Sequence, residues 1–282
     1  MAIQGLWAVA MWGPGLAAIL TTTLVLKQPF RSLNLNRLGP KRLYLWAWFL
    51  PVVLSILGGL FTLLFGLAKL DLQFTLIRHA MASAAGTETI PAWRVVALQT
   101  AFAITLAPFI NLLFALGEEL GWRGFLLPQL MPLGQWKAIL ISGAIWGLWH
   151  APAIVQGLNY PGYPVAGIFM MVVFCMLLAM ILSWLYLNTK SPWISALAHG
   201  AVNATAGLPA LFFKHGLRRH ACHISGLDRD GSFHRLADRV ASAAGPIAGT
   251  AAGDPGVTTW QGHVIPPCFM RPIHRIIVLT NK

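Results

Sequence analysis

Acids are nearly missing from the first 213 residues of this 282-residue chain; only Asp71, Glu88, Glu118 and Glu119 occur there. Charged residues make up 10% of the whole, against about 25% in soluble domains, which argues against a soluble globular protein. Cysteine is also scarce. Cys175, Cys222 and Cys268 are scattered, with neither a disulfide framework nor metal-ligand spacing. No internal repeat is visible, although transporters often show two related halves. The zinc-protease motif HExxH does not occur. The N-terminus lacks a basic n-region, so its first apolar run reads as a retained span rather than a cleaved leader.

Apolar residues are abundant instead. They form 57% of the chain, with a mean hydropathy of +0.67, the composition of an all-α polytopic membrane protein. The net charge of +12 fits membrane loops that collect Lys and Arg better than a nucleic-acid partner. A span needs roughly 20 apolar residues. Six runs qualify, near 4–26, 43–67, 95–117 (continuing toward 127), 137–156, 164–187 and 192–213. The connection 27–42 holds Lys27, Arg31, Arg37, Lys41 and Arg42 without an acid. That asymmetry places the connection in the cytoplasm and the N-terminus outside. A multi-pass protein of the cell membrane is expected, with His79 in an outer loop.

After Phe213 the composition changes. Residues 214–282 hold nine basic residues, four acids and six of the nine histidines, and no run long enough to span. Two readings fit: a polar, poorly ordered tail, or the product of a shifted reading frame. The expected organisation is 1–94 as N-terminal spans and loops, 95–213 as the functional core and 214–282 as an atypical tail.

Chemistry concentrates in the core. A charge at the centre of a membrane helix costs about 2.5–3.5 kcal/mol on insertion scales, yet Glu118 and Glu119 sit side by side beside an apolar run. Intramembrane ionisable residues are functional candidates by default. Residues four apart share a helical face. Glu119 therefore pairs with Arg123, leaving Glu118 without a helical partner. Trp146 shares a face with His150, and His199 with Asn203. A carboxylate, two imidazoles and an amide form a hydrolytic set: one group takes a proton from water, and others donate to an oxyanion. Singly, a buried His or Asn is more often interhelical glue, and Trp146 and Trp149 read as packing. A proton-coupled transporter, a serine protease using Ser142 with His199, and an inactive membrane scaffold are the competing readings.

The three motifs, Glu118-Glu119-Leu-Gly-Trp-Arg123, Trp146-Gly-Leu-Trp-His150 and His199-Gly-Ala-Val-Asn203, resemble those of the CAAX-protease and bacteriocin-processing (CPBP, or Abi) family. That family of intramembrane proteases includes the type II CAAX prenyl endopeptidases. The resemblance covers about residues 95–213. It departs at Trp146, where the family usually has phenylalanine, and in the tail, where members continue with further membrane helix. It implies that Glu118 and His150 activate the attacking water, that His199 and Asn203 bind the oxyanion, and that Glu119, Arg123 and Trp146 support them. The implied substrate is a membrane-embedded or lipidated peptide or protein, a prenylated CAAX protein being one candidate. The family has been described both as metal-dependent and as metal-free. No cofactor is assigned, and zinc on Glu118, His150 and His199 stays open.

Overall fold

The computed structural model describes residue 7, residues 9–82 and residues 90–214. The tail beyond Lys214, with both readings of its origin, lies outside the described residues. The described part is helical, and its β-pairing is an isolated antiparallel bridge between Leu70 and Phe213. It is an all-α membrane protein.

The main helices are α1 (Gly13–Leu20), α2 (Lys41–Leu64), α3 (Thr75–Ala82), α4 (Ala92–Thr105) and α5 (Ala107–Glu119). A π-helical segment Leu120–Leu126 follows, then α6 (Leu127–Leu130), α7 (Gln135–Trp149), α8 (Ala151–Val155), α9 (Pro164–Thr189) and α10 (Pro192–Thr205). The six-span expectation is not met by length. Three stretches are long and apolar enough to cross a bilayer: Lys41–Leu64, Gln135–Val155 and Pro164–Thr189. Ala92–Thr105 with Ala107–Leu133 makes a fourth if that pair, bent by 49°, is one span. Among the described residues the first apolar run gives the short helical stretch Gly13–Val25. The last is α10, whose 14 residues reach about 21 Å at 1.5 Å per residue, short of the ~30 Å core. Its apolar character serves another purpose: α10 is buried along most of its length and packs against α5 and α2. His79, expected in a loop, lies in α3.

The bend between α4 and α5 has a local cause. Pro108 has no N–H to offer the carbonyl four residues back, at Ile104, and its ring crowds that carbonyl. The indole N–H of Trp48 on α2 donates to Ile104 O instead, at 2.6 Å. A neighbouring helix thus satisfies the group the proline releases, as a bilayer requires. Pro14, by contrast, opens α1 rather than kinking it.

Small residues let the motif-bearing helices approach closely. Gly117 and Gly121 flank the two glutamates. A Cβ at Gly117 would lie 2.7 Å from Trp12 Cα, and one at Gly121 2.4 Å from Pro14 Cβ. Gly147, next to Trp146, presses α7 onto α9: a Cβ there would meet Val172 Cα at 2.4 Å. Gly200, next to His199, meets α5, where a Cβ would fall 2.7 Å from Pro108 O and from Leu112 N. Each of the three motifs thus has a glycine at its helix–helix contact.

At the other end from Lys41, Asp71 organises the turn after α2. Its carboxylate accepts from Gln73 N at 3.0 Å, Thr75 N at 2.8 Å and the Thr75 hydroxyl. This serves the unpaired N–H groups at the start of α3 in the manner of a helix cap. The Thr75 hydroxyl, followed by the two backbone N–H groups and Lys214, holds the Asp71 carboxyl below its ordinary pKa, against the opposing effect of burial. Residues 212–214 run back along this turn, with Asp71 N donating to Phe212 O and Lys214 N to Lys69 O, both at 2.8 Å.

Candidate active site

The π-helical segment follows directly on Glu118 and Glu119, and such wider turns occur often at functional sites. Four residues on, Trp122 donates its indole N–H to Glu118 Oε2 at 3.2 Å. Trp146 of α7 donates to the same oxygen at 2.5 Å. The expectation that Glu118 lacks a helical partner is therefore corrected. Looking only for an opposite charge missed an indole donor at the same spacing.

Glu119 is fully buried and bridges Arg123 and His199. Its Oε1 accepts from Arg123 Nη1 at 2.8 Å and from His199 Nδ1 at 2.9 Å. The Glu119–Arg123 pairing predicted from spacing is present, and it also joins the first motif to the third. With Nδ1 donating to Glu119, the ring of His199 has Nε2 left for other chemistry. Two buried atoms of this group, Glu119 Oε2 and Arg123 Nε, have no hydrogen-bond partner among the described residues.

His150 sits at the joint where α7 passes into α8. Its backbone N–H goes to Gly147 O at 3.2 Å, which frees the carbonyl of Trp146. The His150 ring takes that carbonyl through Nδ1 at 2.9 Å. A carbonyl only accepts, so Nδ1 carries the hydrogen and the neutral ring presents a lone pair at Nε2. The helix break thereby favours one tautomer of the neutral His150 ring.

Trp146, read from sequence as packing, lies at the centre of this cluster. It is 2% exposed. Besides holding Glu118, it carries the Arg123 guanidinium over its face at 4.4 Å. It meets the rings of His199 and His150 at centroid distances of 5.1 and 6.0 Å. Glu118, Glu119, Arg123, Trp146, His150 and His199 are thus linked in one network. Asn203 shares the helical face of His199 but is exposed, so it stands at the rim. Trp122 was not singled out from the sequence. Its position four residues after Glu118 was the available signal. Ser195 donates across to Leu182 O of α9 at 3.1 Å, a helix contact, whereas Ser142 donates within its own helix to Ile139 O at 3.0 Å.

The donors do not fit a zinc set. Among the described residues, no group of three or more His, Cys, Asp or Glu is gathered closely enough to hold a metal ion. In addition, one oxygen of Glu118 is held by two indole N–H groups.

A buried carboxylate pair, an arginine and two imidazoles inside an all-helical membrane bundle define a candidate hydrolytic centre. Residues 97–205 match the family described as Type II CAAX prenyl endopeptidase Rce1-like, and all three motifs fall within them. A 53-residue stretch is 42% identical to CAAX prenyl protease 2 of Methanococcus maripaludis, covering 18% of this chain and 20% of that protein. The alignment thus spans about a fifth of the relative's length. No solved structure gives a significant match. The family resemblance read from the three motifs is borne out over the matched stretch.

Proposed function

We propose that this chain is an intramembrane endopeptidase that hydrolyses a peptide bond of a membrane-associated substrate, a lipidated CAAX-type protein being the class the family suggests. The observation that carries this reading is the joining of three motifs, from three separate helices, in one buried network around Trp146. Glu118 takes the proton of the attacking water as its oxygen bonds to the carbonyl carbon, while the Nε2 lone pair of His150 accepts the water's other hydrogen; Glu118 then gives its proton to the amine nitrogen that leaves as the C–N bond breaks. Two indole N–H groups hold one Glu118 oxygen and so fix the carboxylate's direction. As the tetrahedral intermediate forms, Nε2–H of His199 and the amide of Asn203 donate to the oxyanion. Glu119 balances the charge that a second proton brings to His199, and Arg123 keeps Glu119 in place. The exposed position of Asn203 suits a group that meets substrate at the rim. The basic connection 27–42 supports a centre in the cytoplasmic half of the cell membrane by the positive-inside rule.

The test is cleavage of a lipidated peptide by the purified full chain in detergent, where no gradient exists for a transporter to use. Glu118→Gln keeps the size and most of the hydrogen bonding but removes the base. It is expected to abolish cleavage while eluting as a folded, monodisperse species. Equal cleavage by Glu118→Gln and the unaltered chain would refute the assignment.

A further inference from the structure

The end of the bundle where α2 begins carries a loop that the proposed hydrolysis does not use. Between positions 27 and 42 it bears Lys27, Arg31, Arg37, Lys41 and Arg42 and no acid. All five cations are exposed. The three acids among the described residues, Asp71, Glu118 and Glu119, are buried and engaged elsewhere. None of the five cations forms an ion pair among the described residues.

The loop is held firmly. Leu33 is 1% exposed and packs with Ala115, Leu116 and Leu120, beside Glu118 and Glu119, and with Ala196 of α10. The carbonyl of Leu38 accepts from Tyr44 OH at 2.7 Å and Ser191 Oγ at 3.0 Å, and that of Leu35 from Trp193 Nε1 at 2.8 Å. Asn34 Nδ2 donates to Tyr186 OH at 3.1 Å. Apolar side chains stand outward among the cations: Phe30 is 46% and Leu38 63% exposed. Exposed Trp46, one turn beyond Arg42, and Trp136, beside Lys137, occupy the positions aromatic residues take at a membrane interface. A fixed cationic array with apolar side chains, set at the mouth of a span, is complementary to a phosphate layer with acyl chains beneath it.

We propose that loop 27–42 is a docking surface for the headgroups of anionic phospholipids. The inference goes beyond the hydrolytic reading and stands without it, because it rests on charge, exposure and the level of the loop at the start of α2. Juxtamembrane cations attract an anionic leaflet, and a headgroup beside one such cation is favoured about fivefold near the surface. Through Leu33, bound lipid also braces the segment that carries Glu118 and Glu119.

The experiment reconstitutes the purified full chain in phosphatidylcholine bilayers containing trace spin-labelled phosphatidylglycerol or phosphatidylcholine. The motionally restricted fraction of each label is read by electron paramagnetic resonance. Phosphatidylglycerol is expected to be enriched about fivefold at low salt. The enrichment should shrink as the Debye length falls from about 30 Å at 0.01 M to about 10 Å at 0.1 M salt. Arg31→Gln with Arg37→Gln should lower it clearly, whereas Arg78→Gln with Arg94→Gln, two exposed cations of α3 and α4, should not. Equal association of the two lipids with the unaltered chain at low salt would overturn the proposal. So would enrichment that the paired arginine substitutions leave undiminished. Loss of enrichment on adding excess soluble glycerol phosphate would equally overturn it, showing a small-anion site instead. Should the glutamine pair fold poorly, Arg31→Lys with Arg37→Lys, expected to keep the enrichment, decides together with the salt series.

Discussion

Replacing Trp146 by phenylalanine removes one N–H and leaves an aromatic ring between Arg123 and His199. The lost contact is the 2.5 Å hydrogen bond to Glu118 Oε2. Hydrogen bonds to charged groups contribute about 1.5–3 kcal/mol. Glu118 is 2% exposed, so bulk water does not replace the donor. The remaining bond, from Trp122 at 3.2 Å, is longer. Phenylalanine is also the weaker cation–π partner for Arg123, by a fraction of the ~0.5–2 kcal/mol such contacts provide. The expected stability loss is therefore about 2–3 kcal/mol, read as unfolding of the purified chain in mixed detergent–SDS titrations. A carboxylate no longer held in direction should also lower kcat at least about tenfold, the equivalent of about 1.4 kcal/mol, with KM little changed. A Trp146→Phe variant that unfolds and turns over like the unaltered chain would show that the indole does not hold Glu118, and the account of Trp146 would fall.

Four further outcomes follow from the local surroundings of single residues. Glu119→Gln leaves Arg123 buried without its carboxylate, a loss of about 3–5 kcal/mol. Its yield of monodisperse protein after heating should drop far below that of Glu118→Gln. Gly147→Ala drives a methyl to within 2.4 Å of the α9 backbone at Val172 and should cost about 1–3 kcal/mol in the same titration. Gly58→Ala, with nothing within 4 Å, should be neutral or stabilising. Asp71 has its folded-state pKa lowered, so its contribution is fully present above the unfolded value of 3.8 and is lost as pH falls through the lower folded value. Hydrogen-exchange protection at the start of α3 should therefore weaken only in acid well below pH 4, and Asp71→Asn should flatten that dependence.

The sequence carried the site further than it carried the fold. Glu119 with Arg123 and His199 with Asn203 were legible because a helix puts residues four apart on one face, and the two rows survive in α10 and the segment after α5. The cross-helix bonds were not legible. Nothing in one-dimensional spacing says that Trp146 reaches Glu118 or that His199 reaches Glu119. The glycines at 117 and 121, and at 143 and 147, were a readable sign of close helix contact that went unused. Six spans are not reached among the described residues, because hydropathy does not distinguish a helix bathed in lipid from one sheathed by protein. Residues 192–205 are apolar because α2 and α5 surround them. The bend at Leu106 was legible from Pro108, but the donor that compensates it, Trp48, was not.

The shortness of α10 has a consequence for how the protein is made. A segment of this length does not settle across a bilayer alone, and much of its surface has no lipid to face. It comes to rest only in a berth already built by α2 and α5, each synthesised earlier. His199, which it carries, is the last member of the network to leave the ribosome. During biogenesis the centre therefore stays incomplete until the docking of one late helix, and nascent chains still emerging lack the joined network on which the proposed cleavage depends.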